Sequence, residues 1–384
     1  MSPSQTAAYP YRSLALLDGT LLAESEHAIR VDLPDAAPEL WFPRADVVNS
    51  ALDGHDGPWR AGADDLVDFI AFDPGRVQLE IVDGLADDDE RDVTTKRFPN
   101  WGDAADLIDL LDVRSASDGR CQCAARQDWM RPVVEGSQIL GQAIVAASRR
   151  SPNRRVVSAS MVFPRAADAR SPYTMRLDPI TDGGTFTALR AQATQGDRTC
   201  ASGTLLLDVT APDVIRHHDP APDVPGPYDS ASFDMGVTGR DLRIVGDAYT
   251  GDPDAPVGPP ELSAWVRFRR VPDDGAIHAG LLAQFTGHMP IAAALRPHAG
   301  IGQDQAHRTL STAISAISLA LHAEVRADRW MLYHHRSTFA GDGMTHAECR
   351  VYDEHGGLLA SFTVEAMVRD FADRSTAADY RSAM

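Results

Sequence analysis

Up to residue 83, apolar and polar positions alternate with a period of two, the spacing of half-buried strands. DGTLLAES (18–25), HAIRVDL (27–33), ELWFP (39–43), DFIAF (68–72) and RVQLEIV (76–82) read as strands. The last two flank Asp73-Pro74-Gly75, which predicts a hairpin. Residues 1–83 are therefore expected to form a small all-β domain. Trp41, Phe42 and Trp59 are its candidate core, since a module of ~70 residues must bury most of its aromatic area. Residues 84–102 contain Asp87-Asp88-Asp89-Glu90 and little periodicity, the pattern of an acidic, solvated linker.

From residue 103 the period changes. DAADLIDLLDV (103–113) and EGSQILGQAIVAASRR (135–150) have helical spacing. Gly141, Ala143, Ala146 and Ala147 would let the longer helix approach another backbone closely. Four strands follow: RVVSASMVF, YTMRLDPI, TFTALRAQAT and TCASGTLLLDV. Residues 211–262 are rich in proline and read as a connector with one strand-like insert, RDLRIVGDAY. The order then recurs: the strand SAWVRFRRV, a helix over AIHAGLLAQFTGHMPIAAAL (276–295), and four strands ending in LLASFTVEAMVR. The prediction is a tandem duplication of a helix wrapped in an antiparallel sheet, 103–210 and 263–371, in an α+β chain with a polar tail at 372–384.

Composition narrows the function classes. The chain has 384 residues, with 36 Lys+Arg against 55 Asp+Glu and a net charge of −19, which argues against nucleic acid and anionic lipid as partners. The 43% hydrophobic content is ordinary for a globular protein, and no run approaches a membrane span. No basic, then apolar leader is visible at the start, so a cytoplasmic location is expected. The four cysteines are too few for a disulfide scaffold, and Cys121-x-Cys123 lacks the spacing of a zinc site, so neither metal nor other cofactor is expected. Lys96 is the only lysine, which with heavy Ala, Asp, Gly and Pro use resembles an actinobacterial type of genome. His217-His218-Asp219 lies in the connector without a third ordered ligand, and His334-His335, adjacent on a strand, point to opposite faces.

Two resemblances follow from these segments. LIDLLDV, EGSQILGQAIVAA, Asp182-Gly183-Gly184-Thr185-Phe186, HAGLLAQF, ALRPH, RADRWMLY, DEHGGLLAS and SFTVEAMVR occur in the order of the acyl-CoA thioesterase II (TesB) family. The long helix matches that family's FGGQ-hydrophobic-GQA pattern. The resemblance spans 103–371 and implies a double hotdog, two halves side by side in one sheet, acting on acyl-CoA and expected to be a homo-oligomer. DGTLLAES, LWFPRADV, GPWR and DFIAFDPGRVQLEI resemble a small bacterial β domain of unknown function, nucleotidyltransferase-like by name only. No Gly-Ser with paired acidic residues is present there to hold a nucleotide and Mg²⁺, so no such activity is carried over.

The thioesterase resemblance also implies a water-holding trio in the second half: an Asp on the helix, a Thr or Ser on the next strand and a Gln on the last strand. Aligned on the neighbouring motifs, these positions fall on Gly287, Ile314 and Val364, none of which can move a proton. Thr286 and His288 flank the lost Asp. His288 is the natural substitute base, with an ordinary pKa near 6.5; the competing reading is a histidine without a role. Glu135 stands where the family has a large apolar residue, and is either a base or a residue favoured by the helix dipole. Gly136, Gln138 and Gly287 are the expected substrate-binding positions. Arg149 and Arg150 would meet CoA phosphates or simply end a solvated helix. Three functions stay open: hydrolysis of acyl-CoA to free acid and CoA with replaced groups, dehydratase-type acid/base chemistry by His288 and Glu135, and acyl-thioester binding without turnover.

Overall fold

The computed structural model describes residues 5–33, 36–52, 57–84, 90–114, 118–125 and 132–371. Asp87, Asp88 and Asp89 of the acidic run and the tail at 372–384 lie outside these residues. The chain forms two compact units, Met1–Asp103 with Asp234–Gly239, and Ala104–Phe233 with Arg240–Met384.

The first unit is all β. One 5-stranded sheet runs Gln5–Ala8, Ile29–Asp32, Glu39–Pro43, Phe69–Phe72, Trp59–Ala61, and a 4-stranded sheet runs Thr20–Ser25, Arg12–Leu17, Gln78–Asp83, Thr94–Phe98. Phe42, Ile70, Phe72, Ile81 and Phe98 sit in its main core; Trp59 packs partly buried against them, and Trp41 belongs to a smaller cluster. The hairpin expected across Asp73-Pro74-Gly75 does not form. Phe69–Phe72 pairs with Glu39–Pro43 and Trp59–Ala61, while Gln78–Asp83 pairs with Arg12–Leu17 and Thr94–Phe98. The Asp73 carbonyl accepts from both Arg76 N (3.0 Å) and Val77 N (2.8 Å), a helix-like turn that sends the chain to the other sheet.

Part of the stretch read as a linker is also a strand, Thr94–Phe98, whose inward positions are Lys96 and Phe98. Its alternation is hidden in the sequence because one inward residue is a lysine. Lys96 Nζ lies 2.7 Å from Asp83 Oδ2 and donates to the Val237 carbonyl at 2.7 Å. Asp83 Oδ2 also accepts from Gly239 N, and Asn100 Nδ2 donates to Tyr9 Oη and Thr238 Oγ1. These buried polar contacts hold segment 234–239 within the unit.

The second unit is built on one 12-stranded sheet. From its middle outward, one half runs Arg155–Val162, Arg198–Asp208, Phe186–Gln195, Tyr173–Asp182, Arg120–Cys123. The other runs Leu310–Leu321, Leu358–Asp370, Met344–Asp353, Met331–Gly341, Glu261–Phe268. The order is the same in both, as the tandem reading requires. The halves join antiparallel, with Ser158 opposite Ala320 and Ser160 opposite Ser318, so the sheet is continuous. The RDLRIVGDAY insert supplies Arg240–Ile244, which extends the sheet beyond Glu261–Phe268.

Among the described residues, four α-helices pack in this unit: α1 (Ala104–Leu111), α2 (Gly136–Arg150), α3 (Gly275–Phe285) and α4 (Pro290–Leu295). The single helix expected over 276–295 is therefore broken at 286–289. Pro290 starts α4 at the first-turn position where its missing N–H costs nothing. The small residues of α2 have the predicted effect. A Cβ on Gly141 would lie 2.7 Å from the Gly280 carbonyl, so α2 and α3 touch backbone to backbone. Gln142, fully buried on α2, donates to the Leu110 carbonyl at 2.7 Å and accepts from the Tyr173 hydroxyl. All four cysteines are buried and free, and burial pushes the Cys123 thiol up to about 12. Among the described residues, no helix is long and apolar enough to cross a membrane.

Two stability predictions follow from buried ionisable groups. Lys96→Met removes the cation 2.7 Å from the buried Asp83 carboxylate, and is expected to destabilise by about 3–5 kcal/mol in denaturant titration. Adding Asp83→Leu should recover most of that loss; an equally unstable double variant would contradict the pairing. His335 is fully buried, donates from Nδ1 to the Leu262 carbonyl at 3.3 Å, and is held by burial down at about 3. An unfolded histidine takes up a proton below ~6.5 while this one stays neutral. Stability is thus full above ~6.5 and falls as pH drops toward the folded value, by at most about 1.4 kcal/mol per pH unit. His335→Gln should flatten the pH dependence of the thermal midpoint between those limits; an unchanged slope would contradict it.

Candidate active site

α2 and α3 run antiparallel, and side chains at both ends fix their register. At one end Asp274 caps α3, its carboxylate accepting from Ala276 N at 2.9 Å. The same carboxylate is 3.1 Å from Arg149 at the far end of α2, and Arg149 also pairs with Asp112. Burial pushes the Asp274 carboxyl up, but the Arg149 and Ala276 hydrogen bonds outweigh it and hold the group below its usual range. At the other end, Gln284 Nε2 of α3 donates to Glu135 Oε2 at 3.4 Å. The N-terminus of α2 is thereby set beside the break that follows α3.

A cavity of about 150 Å³ opens at this junction, between the two hotdog halves of the second unit. Glu135, Gly136 and Ser137 line it from α2, Phe163 and Arg165 from the first half, and Gly287, His288, Gln303, His307 and Thr312–Ile314 from the second. Glu135 is the N-cap of α2, yet its side chain makes no cap hydrogen bond, so the carboxylate is not spent on the helix. Gly136 is required by sterics: a Cβ there would lie 2.8 Å from the Phe163 ring. His288 is largely buried and stacks on Phe285 with centroids 4.6 Å apart and planes 9° from parallel.

Glu135, Gly136, Gly287 and His288, proposed from sequence, thus meet at one cavity although about 150 residues separate the pairs. The other four lie elsewhere. Thr286 is fully buried and donates to the Ala283 carbonyl at 2.6 Å, closing the last turn of α3. Gln138 is buried on α2 away from the lining. Arg149 holds the two helices in register, and Arg150 Nη1 donates to the Leu177 carbonyl. Arg154 binds the carbonyls of residues 183–185, so it too is engaged.

The trio positions also have definite places. A Cβ on Gly287 would lie 3.8 Å from Ile314 Cγ1, so these two positions are adjacent across the cavity. Val364 is buried and outside the lining.

Sequence reasoning did not find Ser137, Arg165, Gln303, His307 or Thr312. Thr312 Oγ1 is 3.4 Å from His307 Nε2, and His307 has a left-handed φ of 64°. These residues carry no recognisable motif and come together only through the fold. Ser137 did have a signal, standing at the second Gly of the FGGQ pattern. Arg165 is exposed and makes no ion pair or hydrogen bond among the described residues, whereas Arg149 and Arg150 are engaged. Among the same residues no group of His, Cys, Asp and Glu is arranged to hold a metal ion.

Comparison with known proteins accords with this architecture. Residues 125–207 match the acyl-CoA thioesterase N-terminal domain and residues 217–368 the acyl-CoA thioesterase C-terminal domain. Acyl-coenzyme A thioesterase 8 of Mus musculus is 27% identical over 259 residues, covering 61% of this chain and 79% of that protein. Acyl-CoA thioesterase 2 of Haemophilus influenzae is 23% identical over 281 residues, covering 68% and 96%. Among solved structures, a TesB protein from Mycobacterium avium subsp. paratuberculosis superposes with a TM-score of 0.58 at 22% identity, covering 69% of this chain and 98% of that one. An acyl-CoA thioesterase II from Mycobacterium marinum gives 0.58 at 24% identity, covering 69% and 99%. Matched family domains over both halves, and a shared double-hotdog fold, place this chain in the acyl-CoA thioesterase family, as a TesB-like member preceded by an all-β unit.

Proposed function

We propose that the protein hydrolyses acyl-CoA to free acid and CoA, with His288 and Glu135 in place of the family trio. The observation that carries this reading is the convergence of a carboxylate and an imidazole, one from each half, on a single cavity at the start of α2. The thioester carbonyl would lie against the first turn of α2, where unpaired amides and the helix dipole favour developing negative charge. His288 would take a proton from a water held by Glu135. The resulting hydroxide attacks the carbonyl carbon, the C–S bond breaks as the tetrahedral species collapses, and the proton passes to the departing thiolate. Arg165, exposed beside the cavity, is placed to meet the phosphates of CoA.

A second reading has its own support. Gly287, Ile314 and Val364 offer nothing to hold a water, so the cavity would bind acyl-CoA without turnover. Both readings assume a cytoplasmic homo-oligomer whose ligands are small-molecule thioesters.

Thiol release from short, medium and long acyl-CoAs, with mass analysis of the acyl product, separates these readings. Hydrolysis predicts free acid from the wild type and at least a ~10²-fold lower kcat in His288→Ala, the usual worth of a positioned general base. An unchanged kcat would remove His288 from the mechanism. A product lighter by water and still attached to CoA would indicate dehydration. Binding with no product from any chain length would favour the second reading.

A further inference from the structure

Ser137 is the second residue of α2, its side chain is 2% exposed, and it lines the cavity. Among the described residues its hydroxyl has no hydrogen-bond partner, and its oxygen opens to the cavity. A hydroxyl shut off from bulk water that faces a cavity needs its partner from whatever occupies that cavity. Among the described residues the first-turn amides of Gly136 and Ser137 likewise meet no acceptor, because the first N–H groups of a helix have none within it and Glu135 does not cap them. Three donors therefore sit together where the cavity meets the N-terminus of α2.

Space for the hydroxyl depends on the residue opposite. A Cβ on Gly287 would lie 2.7 Å from Ser137 Oγ and 3.1 Å from Ser137 Cβ. Any side chain at 287 would compete with the hydroxyl for the same volume. Glycine at 287 and serine at 137 are thus two parts of one arrangement, in which the hydrogen-bonding atom enters from α2 and not from the segment after α3.

We propose that the Ser137 hydroxyl, in the space left by Gly287, donates a hydrogen bond to the thioester carbonyl oxygen of a bound acyl-CoA. It completes, with the α2 amides, the site that stabilises that oxygen as charge develops. This rests on the acyl-thioester reading above. Ser137 acts only as a donor: its proton stays on Oγ and no acyl group is transferred to it.

The test measures binding of two non-hydrolysable CoA analogues to the full chain by calorimetry. One is a ketone analogue that keeps the carbonyl; the other is a thioether that lacks it. The wild type should bind the ketone more tightly. Ser137→Ala should lose roughly 5- to 10-fold in ketone affinity with thioether affinity unchanged, the worth of one neutral hydrogen bond. If the wild type hydrolyses acyl-CoA, Ser137→Ala should lower kcat by about 10²-fold with KM little changed. Gly287→Ala, which displaces the hydroxyl, should reproduce the ketone-specific loss, and the double variant should lose no more than either single one.

Equal ketone affinity in wild type and Ser137→Ala would overturn the inference while leaving acyl-CoA hydrolysis intact. An acyl mass adduct on Ser137 during turnover would overturn it in favour of a nucleophile. Failure of the wild type to bind either analogue would overturn the acyl-CoA reading and this inference with it.

Discussion

Contact between two glycines governs the second unit. Gly141 on α2 and Gly280 on α3 meet with no side chain between them, and a Cβ on either would lie 2.7 Å from an atom of the other helix. Interiors are close-packed, so an added methyl group there cannot be absorbed without moving a helix. The separation of the helices sets the width of the gap beyond their ends. Arg149 with Asp274 at one end and Gln284 with Glu135 at the other fix their relative sliding. The cavity depends on both quantities, since its walls are the start of α2 and the break after α3.

That break holds the position at which the resemblance implies a carboxylate. Gly287 stands there, between the end of α3 at Phe285 and the start of α4 at Pro290. Polar groups reach the cavity beside it: Glu135 and Ser137, two residues apart at the start of α2, and His288, the residue after Gly287. The fold supplies a helix N-terminus facing a cleft; the side chains that line the cleft decide its chemistry. Family membership therefore establishes the architecture more firmly than it does the chemistry, because function belongs to the site.

Much of this was legible in the chain. The repeated order of one helix and four strands predicted the tandem fold, and the small residues of α2 predicted its close approach to another backbone. Glu135 stood out because the resemblance implies a large apolar residue there, and His288 because it follows Gly287, where the resemblance implies an Asp. What was not legible depended on contacts distant in sequence. The turn at Asp73-Pro74-Gly75 marked a reversal but not which sheet the next strand would join. Thr94–Phe98 was hidden because its inward Lys96 is neutralised by Asp83, a partner that periodicity cannot reveal. Arg149 looked like a ligand for phosphate because Asp274, 125 residues away, is invisible to local reading. Gln303, His307 and Thr312 reach the cavity from a loop and a strand end that carry no motif.

The central claim is that Glu135 and His288, from opposite halves of the duplication, act together on one bound acyl-CoA. A double-mutant cycle on kcat/KM with Glu135→Gln and His288→Ala tests it most directly. Groups that act on the same water lose their effect together, so the double variant should be no slower than the slower single one. Independent, multiplying losses, or turnover indifferent to both substitutions, would contradict the account.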